Sequence, residues 1–116
     1  LSFKHAFCGL QILLISQRNA WIHAAATIGV IAVGGWVGLD RNDWCWLTLA
    51  ITSVWLAEGL NTAIEFLADA AVPEIHPLIK KAKDVAAGAV LIAAIGAAVI
   101  GVLILLPPMT ARFTGG

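Results

Sequence analysis

Two stretches of this chain run without a formal charge for about the thickness of a membrane, and that constrains the fold more than any other feature. Ala20 to Leu39 is 20 residues long. As a helix it spans about 30 Å, one hydrocarbon core. Val85 to Leu106 is uncharged over 22 residues and ends at Pro107-Pro108. Adjacent prolines each lack an N–H, so the helix is expected to stop there. A third apolar stretch, Trp44 to Leu67, is uncharged for its first 14 residues and then meets Glu58 and Glu65. Neither turn chemistry nor composition changes at Glu58, so the stretch reads as one span. Composition agrees: 60% of the 116 residues are hydrophobic and 12% charged. A soluble domain carries roughly 25% charge, and a short chain has a large surface to cover with polar groups. The net charge of zero offers no basic field for nucleic acid.

The expected fold is therefore an all-α integral membrane protein with three transmembrane helices, at about 20–39, 44–67 and 85–106. Residues 1–109 read as one domain. Residues 110–116, ending in Gly115-Gly116, read as a tail or tag remnant outside it. The first connection, Asp40-Arg41-Asn42-Asp43, is short and polar. The second, Asp69 to Asp84, contains Lys80, Lys81 and Lys83. Lysine-rich loops stay in the cytoplasm, which puts Lys4 and Arg18 inside, the Asp40–Asp43 turn outside, and Arg112 against the rule. Cys8 and Cys45 then lie on opposite sides, and both read as free small hydrophobes.

Ahead of the first span, Phe3, Phe7, Leu10 and Leu14 recur at helical spacing, with Lys4, His5 and Gln11 off that stripe. This is the pattern of an amphipathic helix on a membrane surface, or else an early start to the first span. Gly34 and Gly38 form a GxxxG, and Ala89, Ala93, Ala97 and Gly101 a four-residue ladder. Both suit close helix packing in lipid.

The most informative side chains are Glu58, Asn61, Glu65 and Asp69. At about 100° per residue their offsets of 0, 3, 7 and 11 share one helix face. Glu58 lies about 10 Å deeper than Glu65, where a carboxylate facing lipid costs roughly 3 kcal/mol or more. Either these acids are structural, held by interhelical hydrogen bonds, or they face a polar cleft, a partner or a metal. Lys80, Lys81, Lys83 and Asp84 stand where the chain re-enters the membrane, and Gln17-Arg18-Asn19 with His23 opens the first span on the same side. Lys80 and Lys81 also suit a basic headgroup anchor. Acids, a lysine and amides at one depth suit metal-assisted phosphoryl transfer, although no Walker or Gly-rich nucleotide loop is present.

The runs Glu58-Gly59-Leu60-Asn61-Thr62-Ala63-Ile64-Glu65 and Lys80-Lys81-Ala82-Lys83-Asp84-Val85 resemble the prokaryotic diacylglycerol kinase family, which includes the Gram-positive undecaprenol kinases. Arg18-Asn19 with Ile22-His23, and Glu74-Ile75-His76-Pro77, resemble the undecaprenol kinase branch. The resemblance covers roughly residues 2–106. It implies a homotrimer of three-span subunits in the bacterial inner membrane, a surface helix at about 2–17, and active sites shared between subunits on the cytoplasmic side. It implies ATP as phosphate donor, Mg²⁺ as cofactor and a membrane lipid alcohol as acceptor. Glu58 matches the catalytic base, which takes the proton of the lipid hydroxyl. Glu65 matches a metal ligand beside ATP, and Asn61 lies next to the base. Lys83 matches a phosphate contact; Asp84, Glu74, His76 and His5 match nucleotide-binding positions.

Three departures follow from the same resemblance. Gln17 takes the place of a second metal-binding glutamate near the nucleotide, and its uncharged amide implies weaker metal binding. Trp21 stands where undecaprenol kinases commonly carry arginine. Ala87 stands where a serine contacts lipid in the diacylglycerol kinase branch. Asn19, Trp21, His23 and Ala87, with Glu58 and Asn61, are thus the candidate lipid-substrate positions. The expectation is a lipid kinase, for undecaprenol before diacylglycerol. The alternatives are an inactive family member that binds nucleotide or lipid, and a small membrane transport protein that uses its intramembrane acids.

Overall fold

The computed structural model describes residues 2–16 and 18–115. Four helices follow in order: α1 (Phe3–Ser16), α2 (Arg18–Val37), α3 (Arg41–Ala71) and α4 (Pro77–Phe113). Three of them are long and apolar enough to cross a membrane: Asn19–Val37, Arg41–Ala71 and Pro77–Phe113. No strand occurs among the described residues.

The connections follow from local chemistry. Gly38 adopts a φ of 77°, a left-handed conformation that glycine enters without a Cβ clash. Two residues later Asp40 caps α3, its carboxylate accepting from the Asp43 N–H at 2.8 Å, which satisfies one orphan donor of the first turn. At the other end Val72 closes α3 and Pro73 follows. His76 then caps α4 by accepting the Leu78 N–H on Nδ1 at 3.1 Å, with Pro77 in the first turn.

α3 is the central element. Its inward stripe, Leu47, Ala50, Val54, Glu58, Asn61, Thr62 and Ala68, supplies most of the buried residues. Over α4 only Ala86 is buried, while Leu91, Ile92, Ile95, Val99 and Leu103 are exposed. In water such a face would be an aggregation surface; in a bilayer it is the face that meets acyl chains. α1 lies against the bundle through Leu13, which is buried and reaches Gly59 of α3. The stripe Phe3, Phe7, Leu10 and Leu14 stays exposed.

One expectation needs correction. Pro107-Pro108 does not end the last helix; α4 runs through both prolines to Phe113. The prolines remove two backbone hydrogen bonds, but the next turn is fastened by other means. The Thr110 hydroxyl donates to the Pro107 carbonyl at 2.9 Å. The Arg112 guanidinium sits 5.4 Å from the centroid of the Trp36 ring, within cation–π range, and Phe113 packs on the same ring at 5.6 Å. Residues 110–113 therefore continue the helix and touch α2 at Trp36. Ala97 and Gly101 line an apolar groove of about 500 Å³ between α2, α3 and α4, and nothing lies within 4 Å of a Cβ built on Gly101.

Gly34 does allow a close approach, to α3 rather than across a GxxxG. A Cβ built there would lie 2.7 Å from Cη2 of Trp44. Gly35, next to it, faces open space. Gly34→Ala should thus lower thermal stability in detergent by about 1–3 kcal/mol through overpacking. Gly35→Ala should raise it by up to about 1 kcal/mol through helix propensity. Equal midpoints for the two variants would refute the Trp44 contact.

Candidate active site

Glu58 is a charged-type side chain with no exposure at all. The α3 stripe that buries Leu47 and Val54 carries it inward one turn further on, because helical positions three and four apart share a face. Among the described residues neither carboxylate oxygen has a hydrogen bond. One group approaches: His23 of α2, whose Nε2 lies 3.4 Å from Oε2. Asn61, also buried, leaves its Oδ1 without a partner and donates from Nδ2 to Glu65 Oε1 at 3.4 Å. Thr62 is buried and spends its hydroxyl on the Glu58 carbonyl at 2.9 Å.

The acidic face continues toward the α3–α4 connection. There Asp69 accepts from the ammonium of Lys83, and Lys80 donates to Asp84 at 2.8 Å. That hydrogen bond, then the charge of Asp84, holds the Lys80 ammonium above its ordinary pKa. Both pairs are solvent-exposed. Exposed pairs contribute little net energy, so Lys83 and Asp84 are available to exchange partners with an anion or cation.

The structure thus brings together Glu58, Asn61, Glu65 and His23, with Lys83 at the Asp69 end of the same face. His5, Asn19, Trp21, Glu74, His76 and Ala87 are exposed and do not join the buried group. Gln17 lies outside the described residues. Sequence reasoning passed over three participants. Asp69 was placed on the acidic face without a task, and it holds Lys83. Thr27 and Trp55 had no signal except spacing: Thr27 is one turn beyond His23, and Trp55 one turn before Glu58. They meet across the helices, Trp55 Nε1 donating to Thr27 Oγ1 at 3.0 Å.

The oxygen donors fit a hard divalent cation in part. Asn61 Oδ1 is an orphaned acceptor beside the Glu65 carboxylate. Mg²⁺ is typically held by one or two carboxylates, with water and substrate phosphates supplying the rest. No group of three or more His, Cys, Asp or Glu placed for a metal occurs among the described residues.

A three-span membrane protein with a dehydrated carboxylate deep on one helix and exposed lysine–acid pairs toward the α3–α4 connection is built like an enzyme of the membrane interface. The comparisons give the class a family. The pattern described as prokaryotic diacylglycerol kinase matches residues 4–105, and the chain belongs to that family. It is 42% identical over 108 residues to the undecaprenol kinase of Bacillus subtilis, covering 93% of this chain and 88% of that protein. It is 40% identical over 110 residues to the diacylglycerol kinase of Synechocystis, covering 94% of this chain and 63% of the relative. Identity to the diacylglycerol kinase of Escherichia coli K12 is 33% over 95 residues, 76% of this chain and 78% of that one.

Burying Glu58 without hydrogen-bond partners costs stability that a purely structural acid would not cost. Glu58→Leu is expected to raise the thermal unfolding midpoint in detergent, by an amount equivalent to about 1–3 kcal/mol. A lowered midpoint would mark Glu58 as a structural strut.

Proposed function

We propose that this protein transfers the γ-phosphate of ATP to the hydroxyl of a membrane lipid alcohol, with undecaprenol preferred over diacylglycerol, and that Glu58 is the general base. The observation that carries the reading is the fully buried, unbonded Glu58 carboxylate, next to His23 at the head of an apolar groove. That groove is lined by His23 and Thr27 and otherwise by apolar side chains, down to Met109 at the far end of α4. A long hydrocarbon chain laid along it would bring its hydroxyl to the polar end. Family membership and the undecaprenol kinase relative support the same assignment. Ala87, exposed and without a hydroxyl, supports the prenyl alcohol over diacylglycerol.

The residues divide the work as follows. Glu58 accepts the hydroxyl proton while that oxygen attacks the γ-phosphorus, a general-base contribution worth about 10²–10⁴ in rate. Asn61 orients the base or the hydroxyl. Lys83 leaves Asp69 to neutralise phosphate oxygens, since phosphoryl transfer depends chiefly on positioning and charge. Asp84, Glu74, His76 and His5 hold the nucleotide; Asn19, Trp21 and His23 border the lipid. Glu65 and Asn61, with Gln17, would hold Mg²⁺, which supplies charge neutralisation on the phosphates when bound.

The exposure of His5, Glu74, Trp21 and Ala87 in the single chain supports a homotrimer, in which a neighbouring copy would complete each site. The lysines before α4 support an inner-membrane protein with its site on the cytoplasmic side.

Purified protein given labelled ATP and Mg²⁺ should phosphorylate undecaprenol with a higher kcat/KM than diacylglycerol. Glu58→Ala should lose about a hundredfold or more in kcat while the oligomer stays assembled. Lipid phosphate at the level of the Glu58→Ala control would end the kinase reading. Topology has its own test in the two exposed thiols, Cys8 on α1 and Cys45 near the start of α3. A membrane-impermeant maleimide should reach Cys8 from the cytoplasmic face only and Cys45 from the opposite face only. Labelling of both from one face would overturn the orientation.

A further inference from the structure

We propose that His23 is a positioning residue for Glu58, and that Thr27 and Trp55 lock its imidazole in place; this rests on the general-base reading above. Four residues on two helices meet at His23, whose imidazole faces Glu58 and Trp55 and whose carbonyl accepts from Thr27. His23 and Thr27 are one turn apart on α2, and Trp55 and Glu58 one turn apart on α3. Nε2 of His23 lies 3.4 Å from Glu58 Oε2. Trp55 Nε1 donates to Thr27 Oγ1 at 3.0 Å, and the Thr27 hydroxyl donates to the His23 carbonyl at 2.7 Å. The Trp55 indole also meets the His23 imidazole edge-on, with centroids 6.2 Å apart and planes at 66°. One tryptophan therefore holds His23 twice, at its ring and, through Thr27, at its backbone.

Each contact has a physical reason. An indole N–H inside a membrane-spanning segment needs an acceptor, and Thr27 supplies it. The edge-on contact leaves the imidazole little freedom to swing. The His23 side chain is 18% exposed and that of Glu58 1%, so the imidazole stands between the dry carboxylate and the groove. A helix peg alone would need only Thr27 and Trp55. His23 adds a polar ring aimed at the deepest carboxylate in the chain.

The consequence is an asymmetric base. A carboxylate turns easily about its last torsion, which is broad and two-fold. With Oε2 facing His23, Oε1 is the oxygen left to accept the hydroxyl proton. At 3.4 Å the pair is longer than a good hydrogen bond. Catalytic hydrogen bonds are commonly long before substrate arrives and shorten in the complex.

The pair has a readout independent of activity. The chain has three histidines, so ¹⁵N-imidazole NMR of the full chain in detergent micelles resolves them. Glu58→Gln should move the His23 Nε2 resonance and leave His5 and His76 in place. In the kinase assay, His23→Ala should lower kcat about tenfold to a hundredfold, the scale of a misaimed reacting group, with KM for ATP within twofold. His23→Gln, whose amide N–H can reach the same oxygen, should recover most of that loss. Trp55→Phe, which keeps the ring and drops the N–H, should fall between wild type and His23→Ala. An unmoved His23 resonance, or wild-type kcat in His23→Ala, overturns the inference while the kinase reading stands. Wild-type protein that phosphorylates neither lipid overturns the kinase reading and this role with it.

Discussion

A carboxylate held away from water inside a lipid-facing bundle is the constraint around which the rest of this molecule is arranged. The Glu58 carboxylate makes no hydrogen bond among the described residues and is buried. Hydrocarbon would not tolerate it on the outside of a helix. α3 therefore turns it inward on the same stripe as Leu47, Ala50 and Val54. Apolar burial along that stripe holds the acid where its own solvation would not.

Depth sorts the remaining chemistry. Below Glu58 the groove toward Met109 is apolar and suits a hydrocarbon chain. Toward the other end of α3 the side chains become polar and then exposed: Asn61, Glu65, Asp69, and across the turn Lys83 and Asp84. The ion pairs there are exposed and weak, so they can change partners at little cost. A dehydrated carboxylate at one end and exchangeable charges at the other are what the proposed transfer between a nucleotide and a lipid alcohol requires.

Much of this was legible in the sequence. The uncharged runs located the spans, and the offsets of Glu58, Asn61, Glu65 and Asp69 placed them on one face before any coordinates. Residue roles came from the family's motifs, not from periodicity. What failed depended on tertiary contacts. Pro107-Pro108 read as a stop because their local effect is to break a helix; the Arg112 and Phe113 contacts with Trp36 are invisible to local rules. The cluster of His23, Thr27, Trp55 and Glu58 joins residues far apart in sequence, and no single-helix pattern announces it.

The most direct test is a structure of the protein with undecaprenol and a non-hydrolysable ATP analogue in a lipid bilayer. The lipid hydroxyl should lie within hydrogen-bond reach of a Glu58 oxygen, about 2.6–3.2 Å, on the side facing the γ-phosphate, with the prenyl chain in the groove. A hydroxyl bound elsewhere, with Glu58 still sealed among α2 and α3 side chains, would contradict the account.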